Sequence, residues 1–355
     1  MSDQDLQLGR LFLAGFDGLA VGPGHPIVAA IERDHLGGVI LFDRNVDGAR
    51  QNISSPAQLR ELTGTLQRCA GNSLIIAVDQ EGGKVCRLKA VDGFPATESA
   101  GMLGSGTDRT RIRLQAEIIA ASLRECGINF NLAPVVDLNL NPENPIIGRY
   151  ERSYGSRPDT VADLASRFIA AHHANGVACC VKHFPGHGSA AADSHLGFVD
   201  ITGYWQEKEL EPYSQLIASG FGDAVMTAHV VHRGLDSEAL PATLSRRMIT
   251  GLLRERLGFT GVIVSDDLQM KAISDRWGFE EAVQKAVLAG VDLLIVGNNL
   301  VREKNIVSRG VRAIAELIDS GRISESAVRS ALARVSILKR KIAGEVPWNS
   351  SQPIT

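Results

Sequence analysis

The segment VKHFPGHGSAAADSHLGF places Lys182, His183, His187, Asp193 and His195 within fourteen residues that are rich in turn formers. An imidazole held over a pocket can carry a proton near neutral pH, and a carboxylate two residues away can fix its tautomer and favour its charged form. Asp193 and His195 have that relationship. Any one of these histidines alone could be a polar surface residue, but their concentration directly after an apolar run points to chemistry. His183 and His187 are four apart, which on a helix would suggest two zinc ligands. Pro185, Gly186 and Gly188 break any helix there, so no metal site is expected.

A second segment, LLRERLGFTGVIVSDDLQMKAI, ends an apolar strand abruptly in two adjacent carboxylates. Neighbouring strand residues point to opposite faces, so one of Asp266 and Asp267 faces a pocket while the other anchors, for instance as a helix cap. A third, AVDQEGGKVCRL, puts Asp79 at a strand end before paired glycines that permit a tight turn and close approach to a ligand. Arg87, and Arg152 in NPIIGRYERSYG, are donors suited to hydroxyl, carbonyl or carboxylate groups.

Positioning such residues requires strands that end where the polar groups begin. Short apolar runs recur at 11–16, 37–42, 73–79, 128–134, 178–184, 222–229, 261–267 and 291–297, and helical periodicity separates them. Repeated β-then-α units imply a parallel sheet, and eight strands close a (β/α)8 TIM-type barrel, an α/β fold. Active sites of such barrels lie at the carboxyl ends of the strands. Five runs finish in polar groups there: Asp79, Asp137, Lys182 with His183, His229, and Asp266 with Asp267. The helical stretches 302–319 and 324–343 close the pattern. A single catalytic domain is expected over 1–343, followed by a polar tail over 344–355.

The chain has 355 residues, 44% hydrophobic and 22% charged, with a formal net charge of −3. That is ordinary globular usage, without the basic stripe of a nucleic-acid binder. No stretch is long and apolar enough to span a bilayer, and the start does not read as a signal peptide. Five cysteines without framework spacing read as reduced, mostly buried thiols. The expectation is a soluble, cytoplasmic protein acting on a small ligand.

DQEGG, IIGRYERSYG, KHFPGHG followed by DSH, and GVIVSDDLQM together resemble, in this order, the motifs of glycoside hydrolase family 3, and most closely its single-domain bacterial β-N-acetylhexosaminidases. The likeness runs from about residue 9 to 340. It implies that Asp266 is the nucleophile, that Asp193 and His195 form an acid/base dyad, and that Asp79, Arg87, Arg152, Lys182 and His183 bind the sugar. The dyad loop reads GSAAADSH where relatives have an acidic residue soon after the glycine. The implied activity is retaining, exo-acting release of terminal β-linked N-acetylglucosamine from muropeptides or chitooligosaccharides, through a covalent glycosyl-enzyme and with no metal or organic cofactor. The alternatives are a β-glucosidase or xylosidase of the same family, or a Schiff-base lyase using Lys182.

Overall fold

The computed structural model describes residues 6–106, 108–193 and 197–349. Eight parallel strands form one sheet: β1 (Phe12–Ala14), β2 (Gly38–Leu41), β3 (Ile75–Val78), β4 (Phe130–Asn131), β5 (Ala178–Phe184), β6 (Ala224–Thr227), β7 (Val262–Val264) and β8 (Leu294–Val296). Their order is β7-β6-β5-β4-β3-β2-β1-β8, and a parallel bridge between Val264 and Leu293 joins the two edges. Ser265 completes that seam, its Oγ accepting from Ile295 N at 2.9 Å. The result is the expected barrel. Every residue of these eight strands is buried, as a sheet covered on both faces requires.

Among the described residues, eight helices of eight or more residues alternate with the strands: α1 (Pro26–Arg33), α2 (Pro56–Cys69), α3 (Arg109–Glu125), α4 (Pro158–Ala174), α5 (Glu211–Ala218), α6 (Arg247–Arg256, wound as a π-helix), α7 (Phe279–Ala289) and α8 (Ile306–Asp319). A ninth, α9 (Glu325–Ile342), follows without a strand. Their starts are local chemistry. Ser55 caps α2 by accepting from Gln58 N with Pro56 at the first helical position, and Ser324 caps α9 by accepting from Ala327 N. Beyond α9 the Trp348 ring stacks on His173 of α4, with centroids 4.1 Å apart.

Several expected runs are longer than the strands they form. The run 128–134 gives only Phe130–Asn131, because asparagine side chains displace ladder bonds: Asn129 Oδ1 accepts from Ile76 N at 2.8 Å. The run 222–229 shrinks to Ala224–Thr227, since Asp223 Oδ2 takes Cys179 N and His173 Nε2. Helix α8 begins at Ile306, not 302. All five cysteines are free and four are buried. Among the described residues no helix is long and apolar enough to cross a membrane.

Candidate active site

A cavity of about 440 Å³ opens at the carboxyl ends of the strands, within the range typical of small-molecule sites. Its apolar lining includes Ile40, Leu132, Met226 and Ile295. Its polar lining contains Asp79, Arg87, Arg152, Lys182, His183, Asp193, Asp266 and Asp267. Seven of the eight residues singled out from the sequence therefore meet in one place. The eighth, His195, lies outside the described residues.

One side of the cavity is an ion-paired cluster built on β3, β4 and β5. After Asp79 the chain runs into a hairpin, Gln80–Gly82 against Val85–Cys86, turned by Gly82 and Gly83 at φ 95° and 61°. A Cβ on Gly82 would stand 2.3 Å from Glu98 O, so glycine is required by space as well as by backbone conformation. The hairpin is fastened by Asn131, whose amide accepts from Gln80 N and donates to Gln80 O, and the Gln80 amide oxygen accepts from Arg87 N and Leu88 N. Arg87 is thereby aimed at Asp79, 3.6 Å away, and Asp43, 3.7 Å away.

Lys182, buried at the end of β5, places Nζ 2.6 Å from Asp79 Oδ1 and 2.8 Å from Glu81 Oε1. Arg152 grips Glu81 with two parallel hydrogen bonds of 2.8 and 2.7 Å, a strong charge-assisted geometry. Burial by itself would raise the Glu81 carboxyl, but Arg152 and Lys182 outweigh it and hold it at about 2. Asp79 is likewise lowered against burial, by Lys182 and Arg87. For Lys182 burial lowers the ammonium's pKa, yet Asp79 and Glu81 prevail and raise it. His183 is fixed by Asp137, whose Oδ2 lies 2.7 Å from Nδ1, and its Nε2 lies 3.4 Å from Arg152 Nη2.

The other side is formed by the loops after β5 and β7. The run from Pro185 to Asp193 is laced to the loop after β4: Asp137 Oδ1 accepts from His187 N, Asn144 Nδ2 donates to His187 O, and Asn141 Nδ2 donates to Ala190 O. A Cβ on Gly188 would fall 1.8 Å from Leu138 O, so only glycine allows the two loops this contact. After β7, Asp267 Oδ1 accepts from Gln269 N and Gly297 N, both at 3.0 Å. Asp267 thus anchors the strand end as expected, but to its own turn and to the end of β8 rather than as an α-helix cap, and it lines the cavity together with Asp266, so the expectation that only one of the pair faces the pocket does not hold. Asp267 N donates to Asp266 Oδ1 at 2.8 Å. His229 is an anchor too, linking Thr243 Oγ1 to Asp267 O. No group of three His, Cys, Asp or Glu among the described residues could hold a metal ion.

The model of the glycosyl hydrolase family 3 N-terminal domain matches residues 8–338. The chain belongs to glycoside hydrolase family 3. Family members of similar sequence include a beta-hexosaminidase of Tolumonas auensis, 39% identical over 74% of this chain and 76% of that protein. Beta-hexosaminidase A of Pseudoalteromonas piscicida is 33% identical over 88% of this chain, which spans only 54% of that longer relative. Among solved structures, a family 3 beta-N-acetylglucosaminidase from Paenibacillus superposes with a TM-score of 0.86 at 38% identity, covering 99% of this chain and 64% of that one. A beta-N-acetylhexosaminidase from Beutenbergia cavernae gives 0.81 at 30% identity, with 96% and 98% covered.

Glu81 was not among the residues singled out from the sequence. Asp79 and Glu81 flank Gln80 in an extended stretch, so period-two alternation puts them on one face, and that signal was available. Asp137 is legible in the sequence as a strand-end group, but its role as the support of both His183 and His187 depends on partners 46 and 50 positions away.

Proposed function

We propose that the protein is a retaining, exo-acting β-N-acetylhexosaminidase that removes terminal β-linked N-acetylglucosamine from muropeptides or chitooligosaccharides. The observation that carries this reading is the cavity, where Asp266 and Asp193 share one wall system with the donors Arg87, Arg152, Lys182 and His183. The names of the Tolumonas and Paenibacillus relatives support the sugar.

In this reading Asp266 attacks the anomeric carbon to give a glycosyl-enzyme, and water then releases the sugar with retained configuration. His195 gives the leaving oxygen a proton and later takes one from water, with Asp193 orienting its ring; both assignments rest on the DSH motif. Asp79, Arg87, Arg152, Lys182 and His183 hold the sugar's hydroxyls. Catalysis needs no metal or organic cofactor. Lys182 acts as a donor only: its raised pKa keeps it an ammonium, whereas a Schiff-base nucleophile needs a free amine. That weighs against a lyase. The free, mostly buried thiols favour a reducing compartment, hence the cytoplasm.

A panel of p-nitrophenyl glycosides tests the assignment. The β-N-acetylglucosaminide should be turned over far faster than the β-glucoside or β-xyloside. Comparable rates would refute the hexosaminidase reading.

A further inference from the structure

Beneath the loop that presents Asp193 lies a buried carboxyl group that the proposed chemistry does not use. Glu209 sits in the turn Glu207–Leu210 leading into α5 and is 1% exposed. Its Oε1 accepts from Ser189 Oγ at 2.7 Å and from Gln206 N at 3.2 Å. Its Oε2 is buried with no hydrogen-bond partner among the described residues. The carboxyl packs directly on the loop backbone, since a Cβ added at Gly186 would lie 2.8 Å from Oε2. Nearby, Trp205 Nε1 donates to Pro185 O at 3.0 Å. One short stretch, 205–209, therefore holds Pro185, Gly186 and Ser189 from one side, while Asp137, Asn141 and Asn144 hold the same run from the other.

We propose that Glu209 is a positioning residue for proton transfer: through Ser189 and Gly186 it sets the course of the loop from which Asp193 projects into the cavity. The proposal rests on the glycosidase reading above. Glu209 is not among the residues that line the cavity, so it acts through the loop. Its hydrogen-bond partners are Ser189 on the loop and Gln206 N, the charge of Asp137 after β4 and the buried Tyr213 on α5 are near enough to act on it, and it forms no ion pair with lysine or arginine among the described residues. Burial pushes its carboxyl up to about 7; the hydrogen bonds from Ser189 and Gln206 oppose the rise and the charge of Asp137 adds to it. An uncharged acceptor at this position would serve the loop equally well, which is what makes the amide an informative replacement.

Ser189→Ala, Glu209→Ala and Glu209→Gln should be compared with wild type on two substrates carrying the same sugar. A dinitrophenyl β-N-acetylglucosaminide needs little protonation of its leaving group, whereas diacetylchitobiose needs the acid. Ser189→Ala and Glu209→Ala should lower kcat on the disaccharide by about 10-fold or more beyond any loss on the aryl glycoside, a share of the roughly 10²- to 10⁴-fold that positioned proton transfer supplies. KM should change little. Glu209→Gln, which keeps the acceptor for Ser189, should return the ratio of the two rates to near that of wild type. Equal losses on both substrates, an unchanged ratio in Ser189→Ala, or a Glu209→Gln no better than Glu209→Ala would overturn the proposal. If Glu209→Ala does not fold, Ser189→Ala decides, since it removes the same hydrogen bond without emptying the space under the loop. A wild-type protein inactive on both substrates would instead overturn the hexosaminidase reading.

Discussion

Glu81 and Glu209 are 6% and 1% exposed; Glu81 holds the cavity residues Arg152 and Lys182, and Glu209 holds Ser189 on the loop that leads to Asp193. Glu81 has two cations within hydrogen-bond distance and is held at about 2; Glu209 has a hydroxyl and a backbone amide and is pushed to about 7. Equal burial thus gives opposite titration, and the company of each group decides which way it goes. The side proposed to hold the sugar is a charged lattice whose carboxylates are depressed and whose cations are raised, so its ionisation does not change over ordinary pH. The side proposed to handle the proton is held by the Asp137 carboxylate, by amide hydrogen bonds and by a group poised to titrate.

The largest expected effect belongs to Asp266, which lines the cavity after β7 and sets the scale for both sides. Asp266→Ala should lower kcat/KM by at least about 10⁴-fold, the order seen when a nucleophile is deleted, with circular dichroism unchanged. Turnover within about tenfold of wild type would remove it from the nucleophile's role. Next comes the charged lattice. Glu81→Gln strips Arg152 and Lys182 of a shared partner and should destabilise the protein by about 3–5 kcal/mol in urea unfolding at pH 7. Because the Glu81 carboxyl is depressed in the fold, its contribution is present above about pH 4.5 and is lost as pH falls toward 2. The gap between wild type and Glu81→Gln should therefore close in that window.

The smallest effect is also the one of opposite sign. The Glu209 carboxyl is raised in the fold, so its own contribution to stability is fullest below about pH 4.5 and is lost as pH rises through 7. Glu209→Gln cannot ionise, so it should match wild type near pH 4.5 and exceed it by about 1–3 kcal/mol at pH 8. Denaturant midpoints at the two pH values measure this. If both glutamine variants shift with pH in the same direction, the contrast between the two sides fails.

The barrel was legible because strands buried on both faces read as apolar runs, and because the polar residues that end them sit at the ends where barrel sites are built. What escaped the sequence was mostly side chains doing backbone work. Asn129, Asn131 and Asp223 look like strand residues but intercept ladder bonds and shorten β4 and β6. Glu81 stood beside a pair of glycines and read as part of a turn. Glu209 was illegible for a different reason: in a polar helix start it resembles a solvated cap, and its partner Ser189 is 20 residues away. Asp193 and Asp266 were found by motif, and the cavity brings them together with five of the six other residues named beside them.

The interlocked Asp79, Lys182, Glu81 and Arg152 have a consequence for the entropy of recognition. Long side chains freeze on binding a ligand at roughly 0.5–1.5 kcal/mol each when they are free beforehand. Here Lys182 and Arg152 are already confined by carboxylates at 2.6–2.8 Å before any sugar arrives. Their disorder is surrendered once, during folding, so in the proposed reading each arriving ring meets donors whose rotamers are already fixed.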